Sequence, residues 1–314
     1  MRVLVVGASG LVGQHVVERL RERRHEVTAV ARTARPGIDR TFDATEVTEA
    51  DLASLLAGHD GVVFAAGRDD RRIPRRPSYP VFHAGNVVPV VKLMEAARKA
   101  GATRAVVLGS YYTHFDRSHP EWELAVTHPY VRSRVEQARA GREAAGPNLP
   151  VAVLELPFVF GRAEGRLPNW SGGLDRWVRS RSPLLVPPGG SAATTATSVA
   201  DAAVLALEEA SGEDIPVVDE NLTWKDLISR IAIAAGHSRK VHDLPAGAVR
   251  GAMTLTGLVQ NLTGKQSGMN PAGMADLMLR ELFVKRGTPR SIDRAIRETF
   301  PDHSACRGGA TSSR

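Results

Sequence analysis

The sequence predicts an α/β protein built on a doubly wound parallel sheet, with a smaller, mainly helical region toward its C-terminal end. Three observations predict this. Val3-Leu4-Val5-Val6 is an unbroken apolar run, as expected of a strand buried on both faces. It runs into Gly7-Ala-Ser-Gly10-Leu-Val-Gly13, after which Val12, Val16 and Leu20 recur at helical spacing. Strand and helix patterns then alternate as far as Leu156, the signature of parallel strands joined by crossover helices.

A second strand follows at Val27–Ala31. Two more are expected at Gly61–Ala66 and Ala105–Leu108, with a helix from Asn86 to Lys99 between them. Pro129 suits the first position of a further helix. The strand Val151–Leu156 is stopped by Pro157. Residues 162–195 are rich in Gly, Pro, Ser and Trp, with a turn cluster at Pro187–Gly190. A helix from Val199 to Glu209 and a short strand at Ile215–Val218 come next, and residues 222–300 read as mainly helical. The expected organisation is a nucleotide-type domain from 1–161 plus about 196–221, a cap from 162–195 and 222–300, and a disordered tail from 301–314.

Composition narrows the function. At 314 residues, 43% hydrophobic and 24% charged, the chain is neither disordered nor a coiled coil. No stretch approaches the ~20 uncharged apolar residues that span a bilayer. The apolar run at the start is short, so no signal peptide is expected. A cytoplasmic protein without a membrane partner is the expectation. Net charge is +7, from 35 Arg and six Lys against 34 acids. The cations are interleaved with acids, and the one dense run, Arg68 to Arg76, lacks aromatics for stacking bases, so no nucleic-acid partner is expected. Cys306 is the only cysteine and cannot form an internal disulfide. The ten histidines show no ligand spacing, and no metal site is expected.

The glycine turn is an anion site. Gly7 permits a sharp exit from the strand, Gly10 lets the backbone approach a pyrophosphate, and Gly13 lets the helix pack close. A turn without ligand would carry glycines too, but this one ends the first strand of a βαβ unit. Past the second strand, where a carboxylate would select an unphosphorylated ribose, stand Arg32 and Arg35. A guanidinium can grip a 2′-phosphate, and Ser9 offers a hydroxyl, so NADP(H) is expected over NAD(H). Solvated surface arginines would leave the same trace.

The spacing G-x-x-G-x-x-G, Phe64-Ala-Ala-Gly67, Asn86-Val-Val-Pro-Val-Val-Lys-Leu-Met, Val107-Leu-Gly-Ser110 and Tyr130-Val-Arg-Ser-Arg134 together resemble the short-chain dehydrogenases/reductases. Leu154-Glu-Leu-Pro-Phe-Val-Phe-Gly161 and Thr197-Ser-Val-Ala-Asp-Ala-Ala203 are similar to elements of the extended, epimerase/dehydratase-like branch. The resemblance implies a Rossmann-type fold with a C-terminal substrate-binding region. It implies Tyr130 as acid/base and Ser110 as substrate anchor. It further implies Gly7, Ser9, Gly10, Leu11, Val12 and Gly13 around the pyrophosphate, Asp43 at the adenine, and Ala65, Ala66, Gly67 and Asn86 along the cofactor. Pro157, Phe158 and Val159 would lie near the carboxamide. A homodimer through helices near 86–100 and 130–145 is implied as well.

An unperturbed tyrosine titrates near pKa ~10, poorly matched to proton transfer at neutral pH. A cation one helical turn away would favour the phenolate, and residue 134 shares a helix face with Tyr130. The family has lysine there, whereas this chain has Arg134. Arginine keeps the charge but cannot relay a proton. Two readings stay open: Arg134 performs the electrostatic work of a reductase, or the site has drifted from redox chemistry. Tyr111, Tyr112, Arg162 and Trp170 are the candidate substrate contacts, although buried core aromatics would read the same. The expectation is an NADP-dependent reductase of a ketone or enone on a small, perhaps biosynthetic, metabolite. A non-redox isomerase, dehydratase or cyclase, a sugar-nucleotide epimerase, and a catalytically weak NADP-sensing regulator are the alternatives.

Overall fold

A computed structural model describes residues 1–43, 47–285 and 290–302. The tail beyond residue 302, with Cys306, lies outside the described residues, so the expectation of disorder is not addressed there. The chain opens with β1 (Arg2–Val6), α1 (Leu11–Glu22), β2 (Glu26–Ala31), β3 (Arg40–Thr41), α2 (Glu49–Leu56) and β4 (Gly61–Phe64). There follow α3 (Tyr79–Phe82), a π-helical turn at His83–Val87, α4 (Val88–Lys99), β5 (Arg104–Leu108), α5 (Tyr112–Ser118), α6 (Leu124–Thr127), α7 (Pro129–Ala145) and β6 (Val151–Glu155). The later part contributes β7 (Phe158–Phe160), α8 (Ser171–Arg179), β8 (Leu184–Val186), β9 (Gly190–Thr195), α9 (Ala196–Glu208) and β10 (Asp214–Pro216). It ends with β11 (Glu220–Thr223), α10 (Trp224–Ala234), β12 (Val241–Asp243), α11 (Ala246–Leu262), α12 (Pro271–Leu279), β13 (Glu281–Leu282) and α13 (Asp293–Thr299).

Seven strands form one sheet in the order β10-β6-β5-β4-β1-β2-β3, and every pairing in it is parallel. The continuous apolar strands predict helices on both faces, and helices cover both. On one face Val16, Val17 and Leu20 of α1 meet Val199, Ala203 and Leu207 of α9 over Val3, Val5 and Val63. On the other, Leu52 and Leu56 of α2 and Val90, Leu93 and Met94 of α4 cover Leu4, Val62 and Phe64. This is a Rossmann-type α/β fold.

The stretch 162–195, for which the sequence announces only a turn cluster at Pro187–Gly190, holds α8 and two strands. β9 pairs antiparallel with β11 and parallel with β7 and β13. Its residues are small, and Gly190 to Thr194 are buried, so strand pairing with neighbours sets its conformation rather than propensity. The helix expected from Asn86 is preceded by α3 and the π-turn. Among the described residues no helix is long and apolar enough to cross a membrane.

Candidate active site

The glycine turn packs as its residue types require. Gly7 has φ +90° and donates to the Val30 carbonyl at 2.9 Å. A Cβ there would lie 2.7 Å from the Ala65–Ala66 backbone. At Gly13 it would lie 2.2 Å from the Gly7 carbonyl oxygen, so α1 can sit on the turn only as glycine. Gly10 is the N-cap of α1, with no side-chain cap and no acid in the first turn. The N–H groups of Leu11, Val12 and Gly13 are thus left for an anion, and this end of the sheet fits a dinucleotide pyrophosphate.

Arg32 and Arg35 are exposed just past β2, and neither has an ion-pair partner among the described residues. Asp43 follows β3, next to residues 44–46 that lie outside the described set. The segment 162–169 reaches back over the strand ends. Arg166 Nε donates to the Ser9 carbonyl at 2.9 Å, Gln14 to the Glu164 carbonyl at 3.1 Å, and Asn169 to Asp69 at 3.2 Å. Arg162 itself is exposed, its carbonyl bonded to His15 of α1 at 3.0 Å. The structure therefore places it beside the glycine turn.

Tyr130 and Arg134 share the buried face of α7, which starts at Pro129 with His128 as N-cap. Arg134 Nε donates to the Tyr130 hydroxyl at 3.3 Å. Its Nη1 donates to Gln137 Oε1 at 2.9 Å and to the Leu108 carbonyl at 3.4 Å. Gly67, at φ +146°, makes room for this guanidinium, since a Cβ there would lie 3.2 Å from Nη1. Asn86, fully buried in the π-turn, accepts from the Arg68 N–H at 2.7 Å and donates to Ser133 at 3.0 Å. Gln137 donates to the Asn86 carbonyl at 3.1 Å. A π-turn widens the helix at this point and aims Asn86 at the strand end. Ser133 and Gln137, missed in the sequence, complete this network, because only a folded pair of helices brings them to Asn86.

Ser110 is buried at the end of β5, and its carbonyl accepts from Thr113 at 2.7 Å. No hydrogen bond joins the Ser110 and Tyr130 hydroxyls. Two expected substrate contacts are revised. Tyr111 is core: it is 3% exposed, its hydroxyl bonds Ser191 at 3.0 Å, and burial pushes its pKa up to about 12. Trp170, part-buried, packs edge-on to Phe158 and Phe160 and beside Phe300, so much of its ring is spent against this apolar cluster. Phe158 turns its ring into that cluster, while Pro157 and Val159 on either side are part-buried. Tyr112 is part-exposed with its ring 4.7 Å from that of Tyr111. Sequence reading does not single out Asp70, which lies within the dense Arg68–Arg76 run. Burial raises its carboxyl pKa, against the charges of Arg71 and Arg134, and its charge in turn helps raise Tyr112.

An uncapped glycine-turned helix start beside a tyrosine–arginine pair defines a dinucleotide-dependent α/β protein. Residues 7–149 match the sequence model of the NAD(P)H-binding family. The 3-diazoavenalumate denitrifying reductase of a Streptomyces species is 29% identical over 243 residues, covering 70% of this chain and 76% of the relative. UDP-glucose 4-epimerase of Mycolicibacterium smegmatis is 32% identical over 117 residues, covering 34% and 37%. The crystal structure of gox2253 superposes with TM-score 0.74 at 21% identity over 99% of both chains. A human epimerase family protein solved with NADPH gives 0.65 at 17%, over 95% and 99%. Over residues 7–149 the chain is thus similar to NAD(P)H-binding proteins, and over nearly its whole length it shares the fold of these solved structures.

Proposed function

We propose that the protein is an NADP-dependent reductase acting on a carbonyl or conjugated system of a small organic metabolite. The observation that carries this is the 3.3 Å bond from Arg134 Nε to the Tyr130 hydroxyl, which puts a permanent cation on the group that must move a proton. The nicotinamide, when bound, supplies the hydride. Tyr130 gives its proton to the substrate oxygen, Arg134 stabilises the phenolate left behind, and Ser110 orients that oxygen. The N-terminus of α1 holds the pyrophosphate and Arg32, with Arg35, the 2′-phosphate. The diazo-compound reductase among the relatives supports a reductase, and the epimerases support the alternatives on the same scaffold.

One observation favours a non-redox or NADP-sensing role. Arg134 already spends Nη1 on Gln137 and Leu108, leaving fewer donors for a ribose. Titration with NADPH and NADH, followed by nicotinamide fluorescence and thermal shift, separates the readings. Preferential NADPH binding lost in Arg32→Glu, with NADPH consumption by carbonyl substrates lost in Tyr130→Phe, supports the reductase. Binding of neither nucleotide overturns it. NADPH binding without consumption favours the sensor. Pairing through α4 and α7 is the assembly this reading expects, and light scattering checks it.

A further inference from the structure

Helix α11 leaves an apolar stripe exposed. It carries a single charged residue, Arg250, paired with Asp276 at 3.1 Å. Only Val249 and Gln260 are buried, and Gln260 Oε1 accepts from the Ser267 N–H at 2.9 Å. Opposite Gln260, Leu255, Leu258, Val259 and Leu262 are 61%, 53%, 50% and 78% exposed. Their spacing of i, i+3, i+4 and i+7 makes one continuous stripe, the arrangement that ordinarily faces a core.

Cations stand at the end of this stripe. Arg76 donates to Asn261 Oδ1 at 2.6 Å and, through its N–H, to the Gly264 carbonyl at 3.0 Å. Gln266 N–H donates to the Pro74 carbonyl at 3.0 Å, and Arg75 bridges Lys265. These bonds hold Arg75, Arg76 and Lys265, all exposed, at the Leu262 end of α11, with Arg71, Arg72 and Ile73 exposed on the stretch of chain that leads into them. The segments that build the face, 71–78 and 251–268, contain no Asp or Glu.

We propose that this face docks on an anionic phospholipid bilayer, with the Leu255–Leu262 stripe at the headgroup–acyl boundary and the cations over the lipid phosphates. An apolar helix stripe rimmed by cations is the chemistry of a peripheral membrane contact. Charge decides against a two-fold pair through the same face, which would gather two such cation sets with no carboxylate from these segments to balance them. The sequence expectation of no membrane partner rested on spanning segments, and a surface contact needs none. The same segment abuts the catalytic helix: the Tyr130 N–H donates to the Gly268 carbonyl at 2.9 Å, and a Cβ on Gly268 would strike Phe82 and Tyr130. Docking would thus bring the cleft to the lipid surface. The docking itself does not depend on the redox reading.

The test is flotation of the full chain with vesicles of phosphatidylcholine, alone and mixed with phosphatidylglycerol. The expected result is recovery with the mixed vesicles at low salt, little with phosphatidylcholine alone, and release at high salt. Arg75→Gln with Lys265→Gln should lower partitioning by about 25-fold, at about fivefold per cation. Leu258→Asp with Leu262→Asp should abolish it while leaving thermal unfolding unchanged, since both side chains are exposed. No recovery with the mixed vesicles overturns the proposal, as does recovery indifferent to both variant pairs. A wild-type dimer that Leu258→Asp with Leu262→Asp converts to monomer also overturns it, and assigns the stripe to a second copy.

Discussion

Arg117 holds the fully buried carboxylate of Glu155 through two parallel hydrogen bonds of 3.0 Å each. Thr113 donates to the same carboxylate at 2.6 Å and to the Ser110 carbonyl at 2.7 Å. The ion pair at the end of β6 thereby fixes the turn that carries Ser110. Arg117→Met would strip the buried Glu155 of its bidentate cation and leave it only Thr113 and His114. Because Arg117 is itself half-exposed, the expected loss is about 2–4 kcal/mol, toward the lower end of what breaking a buried pair costs. Urea unfolding measures it, and Glu155→Gln in the Arg117→Met background should recover part of the loss.

Arg134 should be replaceable by the cation it stands for. Arg134→Lys is expected to keep turnover within about tenfold, and Arg134→Met to lower kcat by roughly 100-fold, the usual scale of proton-transfer assistance. Nucleotide Kd should change far less. Steady-state kinetics beside fluorescence titration checks the split, and equal losses in both would assign Arg134 to binding instead.

Histidine 128 predicts an acid limit to stability. Its ring is buried, its Nδ1 accepts from the Asn270 N–H at 2.9 Å, and burial lowers its pKa to about 4. The unfolded chain takes up this proton near pH 6.5 and the folded chain does not. Stability from this group is therefore full above pH 6.5 and lost as pH falls toward 4, on the order of 3 kcal/mol in all. His128→Gln should flatten that part of the pH–stability curve, read by denaturant midpoints.

Asp70 predicts the opposite slope. Its raised carboxyl pKa means the folded state holds the proton longer than the unfolded one, so this group penalises folding above its folded pKa and the penalty vanishes in acid. Asp70→Asn should raise the denaturation midpoint at pH 8 and leave it nearly unchanged at pH 3, below the ordinary carboxylate range. A carboxyl that costs stability and feels the charge of Arg134 is expected to serve the site, so the same variant should alter KM for substrate.

The strap over the nucleotide end should control release. Arg166→Ala removes the 2.9 Å bond to Ser9, and Asn169→Ala removes the bond to Asp69. Each is expected to speed nucleotide dissociation several-fold, on the scale of a net hydrogen bond of about 1 kcal/mol. Stopped-flow displacement measures the rate.

What the sequence shows most clearly is backbone necessity. Gly7 and Gly13 are demanded by contacts of 2.7 and 2.2 Å that no side chain tolerates, and the Tyr130–Arg134 contact follows from helical spacing alone. Aromatic residues were less legible. Tyr111 and Trp170 have the composition of a cleft wall, and only the fold shows Tyr111 buried against Ser191 and Trp170 packed on the Phe158–Phe160–Phe300 cluster. The strand β9, Gly-Ser-Ala-Ala-Thr-Thr, carries no strand signal of its own and is made by its neighbours. Asn86, Ser133 and Gln137 meet across a π-turn that no local pattern announces.

The edge strand β10 and helix α9 come late in the chain, yet β10 pairs with β6 and α9 covers the face shared with α1. While the protein is being synthesised, a nascent chain of about 160 residues therefore carries Val16, Val17 and Leu20 with the half of their cover that α9 supplies not yet made. The sheet waits for residues 196–216, which follow the intervening stretch 162–195. That interval exposes a continuous apolar sheet face and an unpaired β6 edge, the surface on which a chaperone would act or an aggregate would start.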